Sequence, residues 1–171
     1  MAREATRIAT PCQGDVVPRP DLLARARWFG GTDRVFRGTR VVDCLGLGRA
    51  GALVLFEVDY ADGPPERYTL PVTAAGSEAG PRDPLWRALV AAIAAGATLA
   101  GRAGTFEGRP AAFPLAAPGG GAALLTTDQS NTSVVLGGTM VVKCYRRLES
   151  GVHPEPEILE ALAGHAFVPP Y

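Results

Sequence analysis

Lysine is almost absent from this chain of 171 residues: it occurs once, at Lys143, among 17 lysine and arginine residues. Charge of one sign is not in excess either, because 17 acidic residues balance the basic ones and the formal net charge is zero. This balance argues against a nucleic-acid-binding surface or a polybasic membrane patch. A chain that otherwise uses arginine makes its one lysine a candidate for binding a phosphate oxygen as a compact point charge.

Cysteine is scarce and irregularly spaced, and the chain has neither a CxxC pair nor a histidine at ligand spacing; the three cysteines are Cys12, Cys44 and Cys144. We therefore expect no zinc site and no disulfide framework. A reducing, cytoplasmic compartment fits this pattern best.

Long hydrophobic runs are also missing. The most apolar stretch, residues 85–100, is rich in alanine, is interrupted by Arg87 and Gly96, and is too short to span a bilayer. Residues 1–7 lead into no apolar segment, so we expect no signal peptide and no membrane partner.

Three segments that are present have the composition of neighbouring strands: residues 40–47, 52–60 and 66–72. Short segments rich in glycine, or in glycine and proline, separate them, as expected of turns. Strands so closely spaced predict an antiparallel meander with one face covered.

Two helices are expected to pack on this sheet, which makes the fold class α+β. The first is predicted over residues 21–29, capped by Asp21 and ended by two glycines. The second is predicted from Asp83 as cap to Gly101, about 17 residues, because apolar side chains recur every fourth position. The glycine-rich segment 116–121 then indicates a joint, and we place a domain boundary between residues 1–117 and 118–171.

Beyond the joint, two β-branched runs flank Gly137-Gly138 and predict a β-hairpin. A two-residue turn pairs Leu136 with Thr139 and Thr132 with Lys143. Alternation along the strands then predicts one shared face, formed by Val134, Leu136, Val141, Lys143 and Tyr145.

This face suggests a nucleotide site. The ammonium of Lys143 lies opposite a polar run that could hold a phosphate, and valines such as Val141 could carry a flat heterocycle. The members of the polar run are Gln129, Ser130, Asn131, Thr132 and Ser133. The alternative is an ordinary hairpin core with a polar loop, in which Lys143 extends to solvent from a strand edge.

A helix is predicted to begin at residues 153–157, because Pro154 and Pro156 fit only in a first turn. Glu157 lies beside apolar positions of that helix and could pair with Lys143. The alternative is that Glu157 and its acidic neighbours are solvated and favour the helix start.

Three motifs, in matching order along the chain, resemble bacterial maltokinases. They are Arg-Trp-Phe-Gly-Gly at 27–31, Asp-Gln-Ser-Asn-Thr-Ser-Val-Val at 128–135, and Val-Lys-Cys-Tyr-Arg-Arg-Leu-Glu-Ser-Gly at 142–151 followed by His-Pro-Glu at 153–155. Such kinases make maltose 1-phosphate for α-glucan (glycogen) synthesis and are sometimes fused to trehalose synthase.

The resemblance implies a cap domain at residues 1–117, joined to a body related to aminoglycoside phosphotransferases and protein kinases. Residues 118–171 would then begin the nucleotide-binding lobe. It further implies ATP and Mg²⁺ as cofactors of the full-length enzyme, residues 129–133 as the phosphate loop, Lys143 as the phosphate contact and Glu157 as its partner. A related kinase for glucosamine or glucose, and a cap-like binding module without catalysis, remain alternatives.

The chain departs from the family in two respects. Thr32 stands where family members usually have a lysine, which puts the role of that lysine in doubt here. No His-Gly-Asp motif occurs either, and the catalytic base and magnesium carboxylates of phosphoryl transfer are expected in a further lobe. We therefore expect no catalytic or metal-binding residue in this chain and no kinase activity from it alone.

Overall fold

A three-stranded antiparallel meander forms the centre of the first part of the chain. Strands β1 (Phe36–Gly46), β2 (Ala52–Tyr60) and β3 (Glu66–Val72) follow one another and pair in that order. The structure is a computed structural model, and it describes residue 12, residues 23–110, 119–125 and 130–162, and residue 165. The meander and the α+β class are confirmed, and β1 begins four residues earlier than predicted.

One face of this sheet forms the larger core. Alternate residues of β2 are buried, and Tyr68 of β3 lies beside Phe56 with 5.7 Å between the ring centroids. Trp28 and Phe29 cover Tyr68, at 6.0 and 5.2 Å between ring centroids. The segment that precedes the sheet therefore lies on its buried face.

The first predicted helix does not continue to residue 29. Asp21 lies outside the described residues, and after Leu23 the chain makes two successive turns, closed by Ala26 N to Leu23 O and Phe29 N to Ala26 O. The physical reason is that Trp28 and Phe29, which are adjacent in the sequence, both contact Tyr68. Adjacent residues on a helix point about 100° apart, so a helix would turn one ring away.

Helix α1 (Leu85–Ala94) is shorter than predicted. It ends because Gly96 adopts a left-handed φ of 58° and Ala97 N donates back to Ala92 O, a helix-ending motif that glycine favours. The chain then forms a small hairpin of β4 (Thr98–Ala100) and β5 (Thr105–Glu107). Asp83 does not cap the helix; its carboxylate accepts from Gly80 N at 2.7 Å.

The expectation that no disulfide forms is wrong. Cys12 and Cys44 are joined by a disulfide, with 5.5 Å between their Cα atoms. The two cysteines are 32 residues apart, and only the folding of the segment before β1 onto the sheet brings them together. Cys144 is free.

A second sheet, in the order β6-β7-β8, contains the predicted hairpin. Its strands are β6 (Ala122–Leu124), β7 (Asn131–Leu136) and β8 (Met140–Tyr145). Gly137 and Gly138 have φ angles of 60° and 74°, and Thr139 completes a three-residue turn, so Leu136 pairs with Met140. The predicted register, which paired Leu136 with Thr139, is therefore wrong by one residue.

This shift changes which side chains share a face of the hairpin. Val134 and Leu136 pack on Trp86 and Val90 of α1, and they do not share a face with Lys143 as predicted. Burial selects the observed register, because a one-residue slip would expose both apolar side chains.

The hairpin is joined to the meander by a short strand that the sequence did not reveal. Strand β9 (Arg147–Leu148) pairs antiparallel with Arg67 and Tyr68 of β3 and becomes the fourth strand of the first sheet. Helix α2 (Pro154–Ala161) follows, with the predicted start. Contacts therefore cross the boundary placed at residues 117 and 118, which remains a prediction.

Among the described residues, no helix is long and apolar enough to cross a membrane.

Candidate functional site

Lys143 lies in the middle of β8, directly opposite Ser133 of β7, on the face that points away from α1. Its ammonium donates to both carboxylate oxygens of Glu155, at 3.0 and 2.7 Å. Both side chains are partly exposed, 31% for the lysine and 41% for the glutamate. The pair is therefore open to solvent and within reach of a ligand.

The start of α2 brings Glu155 to this position. His153 is the N-cap residue, and its Nδ1 accepts from Glu155 N at 3.2 Å. The imidazole also lies against the ring of Tyr145, with 4.0 Å between centroids. Because Tyr145 belongs to β8, this ring contact holds the helix start beside the strand that carries Lys143.

The electrostatics of the pair favour an ionised carboxylate. The hydrogen bond from Lys143, followed by one from Tyr145, holds the pKa of Glu155 below its ordinary value of 4.5. The ammonium also lies 5.3 Å from the centroid of the Tyr145 ring, within the range of a cation–π contact.

The predicted pairing of Lys143 with Glu157 is wrong. Glu157 is exposed, and the ammonium contacts Glu155 instead. Positions two apart on a helix differ by about 200° in direction, so Glu155 and Glu157 point to nearly opposite sides. The sequence did contain the signal, since a carboxylate at Glu155 is also in the first turn.

The polar run divides between the two faces. Ser133, 3% exposed, and Asn131 lie on the face of Lys143, whereas Thr132 points to the opposite side. Ser130 is exposed, and Gln129 lies outside the described residues. The structure therefore places Ser133 next to Lys143 and removes Thr132 from the predicted site.

The apolar part of the predicted site is retained in a different form. Val141 is 58% exposed and pairs with Val135 on the face of Lys143. An ammonium next to the exposed Val141 forms a surface with one charged and one apolar half. Within the described ranges, no three histidine, cysteine, aspartate or glutamate side chains are grouped as metal ligands.

A comparison with known protein families finds a match for the part of the chain that contains the meander. Residues 22–104 match the family model described as the maltokinase N-terminal cap domain. These residues resemble a maltokinase-type cap domain, and we call residues 22–104 the cap domain. The match includes β1 to β4 and α1, and it ends before the hairpin that carries Lys143.

A curated relative is the glucosamine kinase of Mycolicibacterium smegmatis. It is 44% identical to this chain over 43 residues, which is 25% of this chain and 11% of that kinase. The matched segment thus spans about a tenth of the length of this relative.

The cap domain contacts the hairpin through a residue that sequence reasoning missed. Arg146, 1% exposed, follows β8 directly, and its guanidinium lies 4.7 Å from the ring centroid of Trp28. Nε donates to Thr132 Oγ1 at 2.8 Å, and the terminal nitrogens donate to Thr69 O and to the carboxylate of Glu78. The only signal in the sequence is a pair of arginines directly after an apolar strand.

A second arginine strengthens the contact with the cap domain. Arg147 of β9 lies 3.1 Å from Glu66, which also accepts from the hydroxyls of Tyr60 and Tyr68 at 3.0 and 2.6 Å. Arg34 lies 3.2 Å from the same carboxylate. Glu66 thus joins three parts of the chain at one edge of the sheet.

Proposed function

We propose that this chain is the N-terminal part of an ATP-dependent sugar kinase of the maltokinase type. The cap-domain match supports the family, and the Lys143–Glu155 pair carries the proposal for the nucleotide. In protein kinases, a lysine on the third strand of the small lobe contacts nucleotide phosphates and pairs with a glutamate of the next helix. Here Lys143 lies on the third strand of the β6-β7-β8 sheet, and Glu155 lies on the helix that follows.

The surface around the pair fits a nucleotide. Lys143 would neutralise phosphate charge, Glu155 would hold the ammonium in place, and Ser133 lies beside it. The exposed side chain of Val141 offers an apolar surface to a base. Residues 125–130 connect β6 to β7, the place of the phosphate-covering loop in protein kinases, and the predicted loop residue Gln129 falls there.

Proton and metal chemistry is assigned to another part of the enzyme. Phosphoryl transfer requires a base for the sugar hydroxyl and carboxylates that hold Mg²⁺ against the phosphates. The chain contains no His-Gly-Asp sequence. We therefore place both functions in a C-terminal kinase lobe, and we expect the 171-residue chain alone to leave maltose unphosphorylated in the presence of ATP and Mg²⁺.

The proposed sugar is maltose, phosphorylated to maltose 1-phosphate. The segment shared with a glucosamine kinase favours glucosamine as the second candidate. Initial rates of the full-length enzyme on maltose, glucosamine and glucose distinguish them. Copurification of the full-length enzyme with trehalose synthase would test the partner that the family resemblance suggests.

The nucleotide assignment is tested by Lys143→Met in the full-length enzyme. We expect kcat/KM for ATP to fall by at least about 100-fold, the typical effect of removing one electrostatic contact to the transition state. Arg49→Met is the matched control, since Arg49 is an exposed cation of the cap domain. An unchanged kcat/KM in a folded Lys143→Met enzyme would show that the lysine does not contact the nucleotide.

A further inference from the structure

Arg146 is a buried cation that is shared between the cap domain and the hairpin. Its partners on the cap domain are Glu78, the carbonyl of Thr69 and the ring of Trp28. Its partner on the hairpin is Thr132. A buried guanidinium is costly unless several groups pair with it, so this position is tolerated only while the two parts stay together.

The backbone of Arg146 makes the same connection. Its N–H donates to Asn131 Oδ1 at 3.4 Å, and its carbonyl accepts from Thr69 N at 2.7 Å. The first residues of β7 and the end of β8 are therefore both held to β3. Since Thr132 directly precedes Ser133, the residue opposite Lys143, this attachment lies beside the lysine site.

We propose that Arg146 is a positioning residue through which the cap domain fixes the strands that carry Lys143. In this role the cap domain acts as a support of the lysine–glutamate pair, because Thr132 and the end of β8 are held by cap side chains. The effect of Arg146 on nucleotide binding rests on the proposed function. The contacts that Arg146 makes to the cap domain and the hairpin do not depend on it. This attachment can be measured in the 171-residue chain without a nucleotide.

The single lysine makes that measurement possible. Labelling with ¹³C-lysine gives one side-chain Cε–Hε NMR signal, which reports the surroundings of Lys143 alone. Glu155→Gln provides the reference position for a lysine that has lost its charged partner. We expect Thr132→Val and Glu78→Gln each to move the signal of the native chain part of the way toward that reference. Thr132→Val removes the hydrogen-bond acceptor on the hairpin side of Arg146, Glu78→Gln removes the negative charge on the cap-domain side, and both leave the arginine in place.

Arg146→Met should move the same signal further, and the two milder variants keep the test valid if it does not fold. Arg40→Met is the matched control, because Arg40 pairs with Glu57 within the cap domain. It should leave the lysine signal unchanged although it also removes an arginine from an ion pair.

A purely structural role for Arg146 gives a different result. The variants would then lower the unfolding temperature, and far below that temperature their lysine signals would coincide with the native one. That outcome in folded Thr132→Val and Glu78→Gln would overturn the proposal. The two proposals can also fail separately. If Thr132→Val and Glu78→Gln shift the lysine signal but the full-length Lys143→Met enzyme keeps full activity, the nucleotide assignment is refuted and the attachment stands.

Discussion

Asp43 shows how a single side chain organises the cap domain. It is 8% exposed, and its Oδ1 accepts from the backbone N–H groups of Cys44, Arg102 and Ala103 at 2.7, 2.6 and 3.0 Å. A Cβ at Gly101 would come within 2.5 Å of the same oxygen, so glycine is required for this close approach. The carboxylate thus holds the turn between β4 and β5 against β1.

Asp43→Asn is expected to lower the free energy of unfolding by about 1.5–3 kcal/mol at neutral pH, the usual value of hydrogen bonds to a charged group. Burial raises the pKa of Asp43, but the backbone hydrogen bonds outweigh it and leave that pKa below its ordinary value of 3.8. The stabilisation is therefore present above about pH 4 and is lost as the pH falls through the folded pKa. Urea unfolding across this range measures it.

The control for that experiment is Asp33→Asn, because Asp33 is an exposed carboxylate of the same domain. It should change the stability little at any pH. If the loss of unfolding free energy caused by Asp43→Asn stays constant down to pH 2, the charge of the carboxylate contributes nothing to stability.

At the scale of elements, helix α1 illustrates which boundaries a pattern can predict. The apolar spacing of Leu85, Leu89 and Ile93 correctly predicts the helix, but it carries no information on where the helix stops. The end is set by Gly96, whose left-handed φ directs the chain into β4. A glycine inside an alanine-rich segment is compatible with either a continuous helix or an end, and the packing of β4 on β5 decides between them.

Gly96→Ala is expected to destabilise the protein by about 1 kcal/mol, the typical cost of a left-handed conformation for a residue with a Cβ. Space is not the reason, since the added Cβ would meet Pro110 Cδ at an ordinary 3.6 Å. Thermal unfolding checks the change. Gly30→Ala, where no atom lies within 4 Å of the added Cβ and φ is not left-handed, should be neutral. Equal effects in the two variants would contradict the conformational explanation.

At the scale of the whole molecule, long-range links hold the parts together. The Cys12–Cys44 disulfide ties the segment before β1 to the sheet, and Trp86, 0% exposed, forms a second core with Val134 and Leu136 of the hairpin. Strand β9 then closes the edge of the first sheet. The hairpin is therefore packed against the cap domain over both a helix and a strand.

Cys12→Ser is expected to lower the free energy of unfolding by about 3–4 kcal/mol, the loop-entropy estimate for a disulfide that spans 32 residues. A reductant should destabilise the native chain by a similar amount and leave Cys12→Ser unaffected. Urea unfolding with and without reductant measures both effects.

Cys144→Ser is the matched control for this experiment, because it removes the free thiol and should retain the response to reductant. Alkylation of the denatured native chain without reductant should modify one cysteine, and with reductant all three. Modification of all three without reductant would contradict the disulfide.

Local rules determined part of this protein from the sequence alone. The bounds of β2 and β3, the glycine turn of the hairpin and the start of α2 follow from alternation, from glycine at positive φ and from proline in a first turn, all of which act within a few residues. The choice of Lys143 as a site residue also came from the sequence, because a charge inside an apolar strand is unusual.

The tertiary structure decided the rest: the hairpin register, the pairing of β9, the disulfide, and the choice of Glu155 over Glu157. Each depends on which surface the chain meets elsewhere, such as Trp86 for the hairpin and Tyr68 for the segment before the sheet. Burial and electrostatic pairing act between groups that are distant in the sequence. No local pattern encodes which distant group will be the partner, and for this reason Arg146 gained its role only in the folded chain.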